Sequence, residues 1–279
     1  MKEIILCKYG EIALKGLNKV TFENQLTRTL RNRLKPYGDF RVYRAQSTMY
    51  AEPEEGAEVD MDGAVDAACR VFGIVAVNRA AIVEKDMEAI KRCAAEYLPR
   101  YLEGVRTFKA EAKRSDKSFP YQSPQISAEI GGVVLESVPG IRVDVEHPDV
   151  VVRVEVRDYA AYVHAGKLKG AGGMPIGSNG KGLLLLSGGI DSPVAGHMMA
   201  KRGMLIEALH FESFPYTSER AREKVFTLAR EVAAYSGTMH VHVISLTKIQ
   251  EELRRGCDEE YFTLLLRRFM MRLSNRCAE

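Results

Sequence analysis

The stretch LLLLSGGIDSPVAG, residues 183–196, decides how the last third of the chain is read. Four leucines in a row read as a strand buried on both faces, the kind found in the middle of a parallel sheet. Ser187, Gly188 and Gly189 then leave the backbone almost bare, so its N–H groups can approach a ligand closely. Ser192 is a good N-cap and Pro193 suits the first helical position, so the spacing predicts a helix that starts there. Strand, glycine turn and helix N-terminus together make an anion site, and the usual anion is phosphate. A GxxxxGK[ST] loop is excluded, because this turn is shorter and has no lysine for the terminal phosphates. It suits a pyrophosphate moiety cradled by amides. Asp191 is the candidate catalytic residue: a carboxylate beside phosphate implies a bridging cation.

Outward from the turn, the pattern repeats. A second strand reads over MLIEALHF (204–211), a helix over 218–235, and a third strand over MHVHVIS (239–245), before helical segments run to residue 279. Alternating βα units predict a doubly wound parallel sheet with helices on both faces. His240 and His242 alternate on the third strand and read as structural. Upstream, GKLKGAGGMPIGSNGKG (166–182) holds seven glycines and a proline, which mark a linker, placed at 168–182 between units.

The first 167 residues read as two α+β units. The first, residues 1–60, has a strand at 3–8, a polar glycine-marked turn at YGEIALKGLN (9–18), and a helix on which Phe22, Leu26, Leu30 and Leu34 recur every fourth residue. Strands at 40–44 and 48–52 follow. The second, residues 61–167, alternates helix 62–72, strand 74–83, helix 86–98 and a strand over RTFKAEAKR (106–114). In that strand Phe108, Ala110 and Ala112 share one face. A helix after Ser123–Pro124 and strands at 141–146, 150–156 and 160–166 complete it.

Composition excludes several classes. The chain is 46% hydrophobic and 28% charged, and no window approaches a membrane span. The N-terminus is too charged for a signal peptide. Five widely spaced cysteines without a CxxC argue against a disulfide framework or a zinc site and for a reducing, cytoplasmic setting. A net charge of +3 does not announce nucleic acid, so that claim must come from local clusters. Two exist: Lys109, Lys113, Arg114 and Lys117 along and after one strand, and Arg28, Arg31 and Lys35 on one helix face.

SGGIDS matches the SGGxDS signature of the PP-loop ATP pyrophosphatases. With GKGLLLLSGGIDSPVAGHMMAKRG (180–203), EALHFESFPYTSERAREKV (207–225) and LLRRFMMR (265–272), the chain resembles the tRNA 4-thiouridine synthetases, also called thiamine-biosynthesis sulfurtransferases. FKAEAKRSDKSFPYQSPQI (108–126) is similar to that family's RNA-binding THUMP domain. The resemblance implies an N-terminal ferredoxin-like domain, a THUMP domain and a PP-loop domain, in that order. It implies that ATP lies over Leu185, Leu186, Ser187, Gly188, Gly189, Asp191 and Ser192, with His210, Phe211 and Arg267 contributing. The Lys109, Lys113, Arg114, Lys117 cluster becomes the preferred RNA site. The implied cofactors are ATP and magnesium, and the implied partners are tRNA and a cysteine desulfurase as sulfur donor; no membrane is involved, and a homodimer is left open.

The implied activity is ATP-dependent conversion of the tRNA uridine at position eight to 4-thiouridine, with sulfur supply for thiamine thiazole synthesis as a second use. Two alternatives stand beside it: an RNA-binding THUMP protein with a vestigial nucleotide site, and another PP-loop adenylating enzyme. About a hundred residues after the linker allow three strands, whereas doubly wound sheets commonly carry five or six. The expectation is therefore an incomplete PP-loop domain, marginally stable and poor at thiolation alone. None of the five cysteines matches the family's persulfide position, and Cys277 reads as packing.

Overall fold

The computed structural model describes residues 1–14 and 18–279, with the side chains of residues 13 and 14 left aside, so the turn read over 9–18 lies partly outside the described residues. The chain divides into two compact units: residues 1–9, 30–69 and 74–170 in the first, and 10–29, 70–73 and 171–279 in the second.

The first unit is built on one nine-stranded sheet. Strand β1 (Glu3–Tyr9) pairs antiparallel with β3 (Thr48–Pro53) on one side and β4 (Ile74–Val83) on the other, and β2 (Phe40–Ala45) closes that edge against β3. Strand β4 also pairs with β8 (Ala161–Ala165), which leads to β7 (Val150–Val156), β5 (Thr107–Arg114) and the two-residue β6 (Arg142–Val143). The long strand expected over 141–146 is thus only a stub. Asp144 takes the chain out of the sheet, accepting bonds from the Glu146 and His147 amides at 2.9 Å each. Helix α1 (Lys19–Leu34) buries Leu26, Leu30 and Leu34, as its fourth-residue spacing predicts, and its residues are divided between the two units. Helix α2 (Met61–Cys69) lies against β4. Helices α3 (Met87–Tyr97), α4 (Pro99–Leu102) and α5 (Ser123–Ser137) cover the other half of the sheet around buried Phe108, Ile90, Ile126 and Val154.

Inside this unit sits a buried charge cluster. Glu155 on β7 is fully buried, as is His164 on β8, while Arg157 is nearly so. Lys8 Nζ on β1 donates to Glu155 at 2.6 Å, Arg157 Nε donates to it at 3.0 Å, and Arg157 also reaches Thr48 Oγ1 at 3.3 Å. Burial pushes the Glu155 carboxyl up, but His164, Arg157 and Lys8 outweigh it and hold the group well below the usual carboxylate range. His164 Nε2 lies 3.6 Å from Glu155, and burial outweighs that attraction, lowering the ring from its ordinary 6.5. Both shifts act in one direction. The unfolded chain takes up protons that the fold refuses, so stability present at neutral pH declines below about pH 6.5 and again below the carboxylate range. Thermal melts from pH 7.5 to 4 should show this decline, and His164→Gln should flatten its part between pH 6.5 and 5.5; an unchanged slope in that variant would remove His164 from the account.

The second unit holds a parallel three-stranded sheet, ordered β10 (Lys181–Leu185), β11 (Leu205–Glu212), β12 (Val241–Ser245). Helices α6 (Asp191–Lys201) and α7 (Glu219–Ser236) pack against each other. Buried Leu186, Ile206 and Ala208 lie beneath them, with Val225 and Ala229 of α7 packed in the same cluster as Leu186 and Ala208. Helices α8 (Thr247–Gly256) and α9 (Glu259–Ala278) follow. Cys277 and Ala278 line a small cavity with Leu183 and Glu207, which alternate with the residues under α6 and α7, so both faces of the sheet carry a helix.

The four leucines are not buried on both faces, however. Only Leu186 is; Leu183, Leu184 and Leu185 are half-buried. The reason is position: β10 is an edge strand here, and the face carrying Leu183 and Glu207 also holds the solvent-exposed Glu207–His242 pair at 3.1 Å. The glycine-rich 166–182 stretch is likewise ordered. β9 (Leu168–Lys169) pairs with β4, and Met174 N and Asn179 N donate to Lys201 O and Gly203 O.

Helix α6 can lie close on β10 because Gly196 faces it. A Cβ there would stand 2.7 Å from Leu184 Cδ2, beyond what a core tolerates without rearrangement. Gly196→Val should lower the stability of this unit by about 1–3 kcal/mol, the usual cost of overpacking; a melt unchanged from the parent would show that α6 is free to lift away.

Candidate nucleotide-binding site

The site grows from the end of β10. Leu186 N donates to Leu209 O at 2.9 Å, carrying the pairing with β11 one residue past the strand. The chain then leaves the sheet through exposed Ser187, half-buried Gly188 and exposed Gly189 and enters α6 at Asp191. Neither Gly188 nor Gly189 has a positive φ, and a Cβ on either would meet only ordinary contacts, so neither backbone conformation nor packing among the described residues requires glycine here.

Helix α6 starts two residues earlier than the N-cap reading placed it. Ile190 occupies the cap position without a side-chain bond, and Asp191, Ser192 and Pro193 are the first three helical residues. Ser192 is therefore no cap. Its Oγ reaches back over the turn, accepting from Ser187 N at 3.0 Å and lying 3.2 Å from Ser187 Oγ. Ser187 Oγ in turn accepts from Gly189 N at 3.3 Å. A hydroxyl early in the helix thus takes the first amide of the turn and fixes its curvature. Asp191, in the first turn of α6, is exposed and sits where the helix dipole favours negative charge.

β11 ends beside this turn. His210 is buried, and its Nδ1 lies 3.0 Å from Leu186 O, which assigns the ring proton to Nδ1 as donor. Its Nε2 is left as an acceptor, buried and without a hydrogen-bond partner among the described residues. Phe211 follows, half-buried, opposite Ile244 of β12. The carboxyl ends of parallel strands are where open α/β sheets bind ligands, and Leu185, Leu186, His210 and Phe211 all lie there. Arg267 is exposed on α9, and among the described residues no hydrogen bond or ion pair ties it to the turn.

One side chain near the turn was not anticipated. Lys224 of α7 passes over Gly188, with its Cδ 3.9 Å from the point a Cβ on that glycine would occupy. Its neighbour Val225 is buried in the cluster that contains Leu186. The spacing of Val225, Ala229 and Val232 marks that helix face as sheet-bound, but which strand end Lys224 meets depends on how α7 is docked.

The basic cluster of the first unit is mixed in its commitments. Lys109 pairs with Glu111 at 3.3 Å, and Glu111 also takes Arg153. Arg114 donates to Phe119 O at 2.7 Å and Tyr121 O at 3.3 Å, so its guanidinium orders the loop after β5. Lys113 and Lys117 are exposed. Arg28, Arg31 and Lys35 are exposed as well, with Arg31 reaching Val42 O at 3.3 Å. All five cysteines are free. Cys7 and Cys93 are buried, and burial pushes the Cys93 thiol up to about 11. No three or more His, Cys, Asp or Glu side chains gather into a metal-holding group among the described residues. Among those residues no helix is long and apolar enough to cross a membrane.

Set beside known proteins, residues 177–279 match the family model described as thiamine biosynthesis protein (ThiI). Residues 4–78 match the ThiI ferredoxin-like domain and residues 84–164 the THUMP domain. A probable tRNA sulfurtransferase from Alkaliphilus oremlandii is 47% identical over 281 residues, covering 100% of this chain and 71% of its own length. The chain belongs to the tRNA sulfurtransferase family. The family member from Acetivibrio thermocellus, also named a probable tRNA sulfurtransferase, is 45% identical over 280 residues with the same coverage. A 4-thiouridine synthetase, solved as an RNA complex with bound ATP, superposes with a TM-score of 0.88 at 35% identity, covering 100% of this chain and 71% of that one. PH1313 from Pyrococcus horikoshii shares the fold at a TM-score of 0.72 and 23% identity. The ferredoxin-like, THUMP and ThiI assignments agree with the mixed α/β architecture read from the sequence.

Proposed function

We propose that this chain carries the ATP-dependent activation and RNA-binding parts of a tRNA uracil 4-sulfurtransferase acting in the cytoplasm. The observation that carries the reading is the bare Ser187–Gly189 backbone between the end of β10 and the N-terminus of α6, set at the carboxyl edge of a parallel sheet. The family match and the solved relative with RNA and ATP support it. On this reading residues 1–60 are the ferredoxin-like domain, 61–167 the THUMP domain, 168–182 the linker and 183–279 the adenylating domain.

The chemistry follows from a poor leaving group. Oxygen bound to C4 of uracil does not depart readily, whereas AMP does. The uracil O4 of the uridine at position eight attacks the α-phosphate of ATP, a P–O bond forms, and the bond to pyrophosphate breaks. The terminal sulfur of a protein persulfide, loaded by a cysteine desulfurase, then attacks C4, a C–S bond forms and AMP leaves. A second thiol attacks the carrier sulfur of the C4–S–S–protein adduct, so that the S–S bond breaks to leave 4-thiouridine and a disulfide. The amides of the Ser187–Gly189 turn and the α6 dipole stabilise charge gathering on pyrophosphate. Leu185 and Leu186 present main-chain groups, and His210, Phe211 and Arg267 complete the nucleotide site. Magnesium fits the donor set, because one exposed carboxylate, Asp191, beside triphosphate oxygens is the arrangement that ion accepts, and it offsets phosphate charge when bound. The family model that covers 177–279 supports sulfur supply for thiamine thiazole synthesis as a second use of the same machinery.

ATP–pyrophosphate exchange, with and without unmodified tRNA, tests the reading. Asp191→Ala should reduce exchange by at least a hundredfold while leaving tRNA affinity within about twofold, since transition-state charge stabilisation is worth that much. Parent-level exchange in that variant would remove Asp191 from catalysis. tRNA binding should be strongly salt-dependent. Reversing the charge of Lys109, Lys113 and Lys117 should weaken it and flatten the dependence of affinity on salt; equal affinity would move the RNA site to the helix bearing Arg28 and Arg31.

A further inference from the structure

The glycine turn lacks the lysine that phosphate loops of the GxxxxGK[ST] type carry within the motif. A turn made only of amides offers partial charges to a leaving group that gathers several full ones. In this fold a lysine arrives from another element, thirty-six residues after Gly188. We propose that Lys224 of α7 is the cationic pyrophosphate ligand of the Ser187–Gly189 turn, supplying in trans along the chain what the motif omits. The proposal rests on the reading of this site as an ATP pyrophosphatase.

Three observations carry it. The first is reach. The Lys224 Cδ stands 3.9 Å from where a Cβ of Gly188 would be, and the ammonium lies two bonds further, roughly 2.5 Å. An ammonium there is within range of an anion seated over the turn at the Gly188 amide, the one of its three amides that donates to no acceptor among the described residues. The second is anchorage. Val225, 2% exposed, packs in the cluster that holds Leu186, the residue immediately before the turn, and Ala229 continues the same stripe. The Lys224 backbone is thereby registered against the end of β10, while its side chain stays at the rim. The third is availability. Lys224 makes no ion pair or hydrogen bond among the described residues, unlike nearby Arg222, which is 3.5 Å from Glu212. An uncommitted cation held over the Gly188 amide is what a polyphosphate needs.

The charge arrangement also assigns the subsite. Asp191 and Lys224 approach the turn from different helices, one anionic and one cationic. The lysine therefore acts on the departing pyrophosphate, and the AMP half should be indifferent to it.

Titration calorimetry of the 279-residue chain with sodium pyrophosphate, ATP and AMP, each with magnesium, tests the proposal. Lys224→Ala should weaken pyrophosphate and ATP at least tenfold and leave AMP within twofold. Lys224→Arg should restore most of the lost pyrophosphate affinity, which a merely structural role would not explain. Arg222→Ala should behave as the parent. If Lys224→Ala binds pyrophosphate as tightly as the parent, or loses AMP equally, the proposal is overturned while the nucleotide site stands. If the parent binds none of the three ligands, the site itself has been misread and the proposal falls with it.

Discussion

A turn without side chains cannot hold its own shape, and the second unit is organised around that constraint. Ser187, Gly188 and Gly189 have little to pack, so apart from the Gly189 amide's bond to Ser187 Oγ each restraint on them comes from a flank. Leu186 is pinned to Leu209 by its amide and to His210 by its carbonyl. Ser192 reaches back from α6 to take the Ser187 amide. Gly196 lets α6 sit close enough on Leu184 for that reach to succeed. The cost of leaving the Gly188 amide open to a ligand is thus carried by the β10–β11 pairing, the two serine hydroxyls and one tight helix–strand contact.

The first unit answers a different demand. Its strands come from distant stretches of the chain, and β4 belongs to three pairings at once, with β1, β8 and β9. A sheet assembled this way gains specificity from polar groups that fit only in one register. Glu155, Lys8, Arg157 and Thr48 come from β7, β1, the β7–β8 connection and β3, and their bonds close only when those strands are correctly placed. Breaking such a buried set by removing one partner typically costs about 3–5 kcal/mol, because the remaining charge stays desolvated.

Local periodicity made most elements legible. Leu26, Leu30 and Leu34 at fourth-residue spacing marked α1, and Phe108, Ala110 and Ala112 marked the buried face of β5. The strand–glycine–helix order marked the site. Periodicity failed where neighbours decide. Nothing in LLLL distinguishes a central strand from an edge strand, because burial on the second face depends on what else is laid over it. Ser192 and Ser218 look alike as caps, yet only Ser218 caps, accepting from the Ala221 amide at 3.3 Å, while Ser192 bonds the turn. Phe72 reads as the end of a helix in the second stretch, but its ring packs against His197 and Tyr235 of the second unit, with centroids 5.1 and 5.8 Å away.

The sequence by itself determined the chemistry on offer: bare amides at 187–189, a carboxylate at 191, a parallel βα alternation after 183, and basic residues along β5. Those depend on residue type and short-range spacing, which the chain carries locally. Only the tertiary structure decided which of them meet. Helix docking brought Lys224 over Gly188, turned Ser192 from cap to clasp, and committed Arg114 to the carbonyls of Phe119 and Tyr121 rather than to solvent. Such outcomes are set by contacts between residues far apart in the chain, and no local pattern encodes the distance between them.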